Sequence, residues 1–141
     1  MIAIAALLLA TPTPAEVGNA AALTVTITGL RNKRGAVLIC LTRNRSHFPN
    51  CSHDPAALSR TVAASTRTIE FPQIVLGTYA IAVFHDENDN GKLDTFMGIP
   101  REGFGFSRNP KLGFGAPQFD KVNIKVVPGF SRAAVHIQYV L

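Results

Sequence analysis

The stretch Tyr79–His85 constrains this chain most: Tyr79, Ile81 and Val83 alternate with Ala80, Ala82 and Phe84, so both faces of an extended segment are apolar. A strand of that kind needs a packed layer on each side and belongs at the centre of a sheet. It runs directly into Asp86-Glu-Asn-Asp-Asn-Gly-Lys-Leu-Asp94, and an aromatic, glycine-rich tail follows to Phe106.

The rest of the chain reads as further short strands. Leu23–Leu30 alternates apolar and hydroxyl residues, with Leu23, Val25 and Ile27 expected inward; a polar turn ending at Gly35 leads to the continuous apolar run Ala36–Leu41, and the two are expected to form a hairpin. Residues 42–58 read as an irregular connection, with one short helical turn possible from Asp54. Thr61–Phe71 reads as a strand with Ile69 and Phe71 inward, and Pro72–Gly77 as a turn. Residues 86–118 show little periodicity and many breakers, so a long irregular loop is expected there. Phe119–Val127 alternates with Val122, Ile124 and Val126 inward, and after Pro128-Gly129 the terminal stretch places Val135, Ile137, Tyr139 and Leu141 on one face. About seven short strands and almost no helical period predict an all-β fold: a single antiparallel β-sandwich, immunoglobulin- or prealbumin-like, with one long loop.

The first ten residues, Met1–Ala10, are apolar but too short to span a bilayer, and small residues follow them. Residues 1–22 are read as an export signal and 23–141 as one domain, placing the protein in the periplasm or outside the cell, with no transmembrane segment in the mature chain. Removing 1–22 takes away a single charge, Glu16, and moves the net charge from +5 to +6. The cations are scattered along the sequence rather than clustered, which argues against a nucleic-acid partner. Export lets Cys40 and Cys51 form a disulfide. The alternative, zinc held by Cys40, His47, Cys51 and His53, lacks the tight paired spacing of zinc modules.

Asp86, Asn88 and Asn90, the Lys92 carbonyl and Asp94 match alternate positions of a hard-cation loop, and Gly91 permits its sharp turn. Glu87 falls out of register. Met97 stands where an EF-hand has its bidentate glutamate, so Glu102 or Asp120 would have to complete the shell. All-oxygen donors favour calcium. The competing reading is an Asx-rich turn whose side chains cap backbone amides. A hydrolase using His85 and Asp86 with Ser107 or Glu102 is the alternative function, weakened because strand neighbours point to opposite faces. His85 itself reads first as a buried wall residue. Phe96, Phe104, Phe106 and Phe114 could form a recognition surface, for which a small molecule, a polysaccharide or an envelope protein would be the partner.

Ile69–Tyr79, followed by its apolar strand, resembles the turn of prealbumin-like and carboxypeptidase-regulatory-like sandwiches. Ala82–Thr95 together with Gly98–Ser107 resembles the signature of DUF2141, a family of exported bacterial proteins, and the similarity extends over roughly Leu23–Leu141. The resemblance implies an exported sandwich and assigns no activity. The expected function is therefore a non-enzymatic envelope module, structural or ligand-binding, with a calcium-like loop.

Overall fold

The computed structural model describes residues 21–93, 95–96, 99–113 and 115–141; the expected export signal lies almost wholly outside them, as do Asp94 and Phe114. The strands are β1 (Ala21–Thr28), β2 (Ala36–Thr42), β3 (Leu58–Ala63), β4 (Thr68–Ile74), β5 (Gly77–Asp86), β6 (Thr95–Phe96), β7 (Ile99–Pro100), β8 (Gly103–Phe106), β9 (Ile124–Val126) and β10 (Gly129–His136), with one helical turn, α1 (Phe119–Val122). Two sheets, β10-β1-β4 and β3-β2-β5-β8, pack face to face as a sandwich, and β9 joins the first residues of β5. The short β6 and β7 pair only with each other.

The core between the sheets follows the period-two pattern. Leu23, Val25 and Ile27 of β1 and Ile69 and Phe71 of β4 face Val37, Ile39 and Leu41 of β2 and Ile81 and Val83 of β5, all buried. Thr68 and Glu70 point outward, as their alternation requires. β5 is central, hydrogen-bonded to β2 along one edge and to β8 and β9 in succession along the other.

Several local expectations are corrected by the tertiary pairing. β1 and β2 do not form a hairpin, because β1 pairs with β10 and β4 while β2 pairs with β3 and β5; the loop 29–35 crosses from one sheet to the other. The β1–β10 pair is parallel, so the sandwich is not wholly antiparallel. The stretch read as one strand from Thr61 splits into β3 and β4, one for each sheet. Asp54–Leu58 forms turns and no helix, with the Asp54 carboxylate accepting the Ala56 amide at 3.0 Å. The expected long loop contains β8, which pairs with β5 through Ala82–His85. Phe119–Val122, read as strand, is a helical turn that buries Phe119 and Val122. Leu141 is exposed rather than inward, while Val135 and Ile137 are buried as expected.

Cys40 and Cys51 form a disulfide with their Cα atoms 5.8 Å apart, which removes the zinc alternative. The bridge ties the 43–57 connection to β2, leaving Pro49–Ser52 standing beside the outer face of the β3-β2-β5-β8 sheet.

A candidate binding groove and its polar rim

The outer face of that sheet is apolar, and the structure covers only half of it. Around Ala80, the rings of Phe48, Phe106 and Phe119 and the side chain of Val122 form a second small core. Phe48 meets Phe106 and Phe119 edge to face, with centroids 5.8 and 6.2 Å apart. Farther along β5 the described residues build no such cover. The strand registers set two rows of side chains across the sheet there, Ser59–Cys40–Ala82–Phe106 and Thr61–Leu38–Phe84–Phe104. Small residues at the middle of the first row, beside large ones in the second, make the face concave. The result is a groove of about 630 Å³, walled on one side by the disulfide loop at Pro49–Ser52 and on the other by Gly91 and Leu93 of the acidic loop. That volume lies within the range of small-molecule sites, roughly 300–1,000 Å³.

The hydroxyls of Ser52, Ser59 and Thr61 and the amide of Asn50 rim an otherwise apolar lining. Arg60, the one charged residue lining it, reaches over the sheet edge instead: Nη1 donates to the Glu70 carbonyl at 2.6 Å and the guanidinium lies 4.4 Å from the Phe71 ring centroid. Of the four phenylalanines read as a recognition surface, Phe104 is half-buried and lines the groove, and Phe106 is buried and forms its floor. Phe114 lies outside the described residues, and Phe96 is placed only as a strand residue.

The acidic loop caps itself. Asp86 is buried at the end of β5; its Oδ1 accepts the Asn90 amide at 3.1 Å and its Oδ2 the Gly91 amide at 2.7 Å. Asn90 Oδ1 accepts the Lys92 amide at 3.1 Å, and Gly91 takes φ +77°, the left-handed turn expected of it. Asn88 and Lys92 are exposed. These bonds are those of the Asx-turn reading. A carboxylate oxygen holding one amide keeps a second lone pair, so the same arrangement aims Asp86 into the loop where a cation would sit. Among the described residues no group of three or more His, Cys, Asp or Glu side chains gathers as a metal cluster. Glu102 is buried, and its Oε2 accepts the Glu87 amide at 2.5 Å.

Glu87, out of register for an ion, is instead the hub of the loop's attachment. Its Oε1 accepts from Arg31 Nε at 2.9 Å and Nη2 at 2.5 Å, and its Oε2 from Asn32 Nδ2 at 2.8 Å and Arg34 Nη2 at 3.4 Å. Burial alone would push its carboxyl up, but the hydrogen bonds from Arg31 and Asn32 and the Arg31 charge outweigh it and hold the group below the usual range. Arg31 also stacks on the Tyr139 ring at 4.4 Å and donates to the backbone oxygens of Arg101 and Leu141. No pattern in the sequence joins residues 31, 87 and 139; only the crossing loop between the sheets brings them together.

His85 is the wall residue it reads as. It has no solvent exposure, its Nε2 donates to the Arg34 carbonyl at 2.6 Å, and in its neutral form Nδ1 accepts from the Tyr139 hydroxyl at 2.8 Å. Ser107 is equally committed: Oγ accepts the Ile81 amide at 3.0 Å and donates to the Val122 carbonyl. Both ring nitrogens of His85 and the Ser107 hydroxyl are thus bonded to other groups and not to one another.

The fold and this face define an all-β sandwich with one disulfide, a partly covered apolar face and an acidic loop beside it. The chain belongs to the family described as "Uncharacterized protein conserved in bacteria (DUF2141)", whose model matches residues 25–134. Neither the curated proteins nor the solved structures contain a match to it. Among the described residues, no helix is long and apolar enough to cross a membrane.

Proposed function

We propose that the protein is an exported, non-enzymatic binding module of the cell envelope, periplasmic or secreted, that holds a small, uncharged and largely apolar molecule in the groove on its outer sheet. The observation that carries this is the incomplete cover: among the described residues, the same sheet face is sealed by aromatic rings at Ala80 and left concave and open from Ala82 to Phe84. Hydroxyl and amide groups at the rim, with Arg60 engaged elsewhere, suit a ligand with one or two polar functions and no net charge. A solvatochromic naphthylamine dye tests it. Ala82→Phe, which fills the middle of the floor, should lower dye affinity at least tenfold while leaving the melting temperature within a few degrees. Equal dye binding by wild type and Ala82→Phe overturns the reading.

Calcium belongs to the same proposal. Asp86, Asn88, Asn90, the Lys92 carbonyl and Asp94, with Glu102 as a further donor, would hold the ion, and Gly91 and Leu93 carry the loop's position into the groove wall. With so few carboxylates the dissociation constant should be roughly 10⁻⁴–10⁻³ M. At ten times that constant, mass action adds about 1.4 kcal/mol. Identical melting curves in millimolar calcium and in chelator would leave the capping role of Asp86 as the loop's whole explanation.

A further inference from the structure

The end of the sandwich opposite the acidic loop is apolar and basic together. The β4–β5 turn and the β9–β10 turn both lie there, because Ala21 at the start of β1 pairs with Ile74 on one side and Gly129 on the other, while Gly77 pairs with Val126. These turns present Val75, Val127 and Phe130 to solvent, 62%, 47% and 86% exposed. A phenylalanine that exposed at a strand start contributes nothing to the core and has hydrophobic area to lose from water.

Three cations belong to the same end of the sandwich. Lys125 pairs beside Thr78 with its side chain on the side of Val127, and Arg132 lies two residues beyond Phe130 on the same outer face. Arg43 lies over the Tyr79 ring, 5.7 Å from its centroid, next to Gly77. Of the acids on this half, Asp54 is held by the Thr42 hydroxyl and Asp120 by Arg45, while Glu70 is exposed across Thr24 from Arg132 and leaves the three cations in excess. Exposed apolar side chains with lysine and arginine at the same end fit an interface whose outer layer is anionic and whose next layer is hydrocarbon.

We propose that this tip docks on the surface of an anionic lipid bilayer, with Phe130, Val127 and Val75 entering the headgroup region and Lys125, Arg132 and Arg43 meeting lipid phosphates. The exported form, beginning at Ala21 or shortly before it, and its variants are sedimented with vesicles of phosphatidylcholine alone and of phosphatidylcholine mixed with phosphatidylglycerol. Wild type should pellet with the anionic vesicles and release in high salt. Phe130→Ser with Val127→Ser should lower the partition coefficient at least tenfold with an unchanged melting curve, since both side chains are exposed. Lys125→Glu with Arg132→Glu should abolish the preference for anionic vesicles. The proposal is overturned if the serine variant pellets like wild type, which would assign binding to residues outside the tip. It is overturned equally if wild type treats both vesicles alike or fails to bind, or if the tip substitutions instead dissolve a lipid-independent dimer.

Discussion

Replacing Glu87 by alanine removes the acceptor of four side-chain hydrogen bonds that fasten the acidic loop to the 29–35 crossing. The Glu87 side chain is 11% exposed, but its main partner Arg31 is 40% exposed and keeps its bonds to the Arg101 and Leu141 backbone, so water recovers part of the loss. A charge-assisted bond contributes about 1.5–3 kcal/mol when buried, and solvent screening cuts this for exposed partners. Summing one part-buried bond, from Asn32, and a screened Arg31 fork gives a destabilisation of about 2 kcal/mol. At roughly 4 °C per kcal/mol for a domain of this size, the melting temperature should fall by about 8 °C. Glu87→Gln, which keeps the acceptor oxygen, should cost about half as much. The depressed carboxyl gives the comparison a pH signature. Stability from the charge is fully present above the unfolded carboxyl pKa of about 4.3 and is lost as pH falls through the lower folded value, so the gap between wild type and Glu87→Gln should close as the pH falls through that range. Calorimetric melts from pH 7 to pH 2.5 measure this. A Glu87→Ala protein that melts within a degree of wild type at pH 7, or a gap to Glu87→Gln that persists unchanged at acid pH, refutes the assignment of Glu87 as the hub.

Ser107→Ala should lose about 2–4 kcal/mol, because it strips a partner from the buried Ile81 amide and the Val122 carbonyl at the point where β8 hands over to α1 and β9 along the β5 edge; chemical denaturation reads it, and a loss under 0.5 kcal/mol would contradict the geometry. Reducing Cys40–Cys51 should cost about 3 kcal/mol by the chain-entropy estimate for a short loop. It should also change dye binding, since the bridge holds one groove wall, and unaltered binding by the reduced protein would detach that wall from the site. Exported protein should begin at or before Ala21, whose buried side chain and pairing to both neighbours make it part of β1; a mass corresponding to a start at Leu23 would show that the first two residues of the strand are dispensable.

Much of the fold was legible because burial imposes period two locally. Leu23, Val25, Ile27, Ile69 and Phe71 can be assigned inward from neighbours two residues away, and the double-sided β5 announces its central place. Gly91 and the capping oxygens of Asp86 and Asn90 are equally local, so the sharp turn at Gly91 is legible in the sequence, which left a cation loop and an Asx-rich turn both open there and preferred the cation loop. The parallel β1–β10 pair escaped the sequence because the alternation of a strand is the same whichever direction its partner runs. Phe119–Val122 misled for a related reason: buried Phe119 and Val122 lie three apart, a spacing a helical turn serves and a nine-residue alternating pattern masks.

What the chain determined by itself is therefore most of its inward side chains, the β class, the pairing of its two cysteines and the sharp turn at Gly91, all set by steric alternation, redox chemistry or bonds spanning a few residues. The open groove and the Arg31–Glu87–Tyr139 hub were decided only in three dimensions. A groove exists where cover is missing, and whether α1 and Phe48 would seal the whole outer face or half of it depends on where Ser107 fixes the chain against β5. The hub likewise joins residues 56 and 108 positions apart, brought into contact because the β1–β2 loop must cross from one sheet to the other past the end of β5.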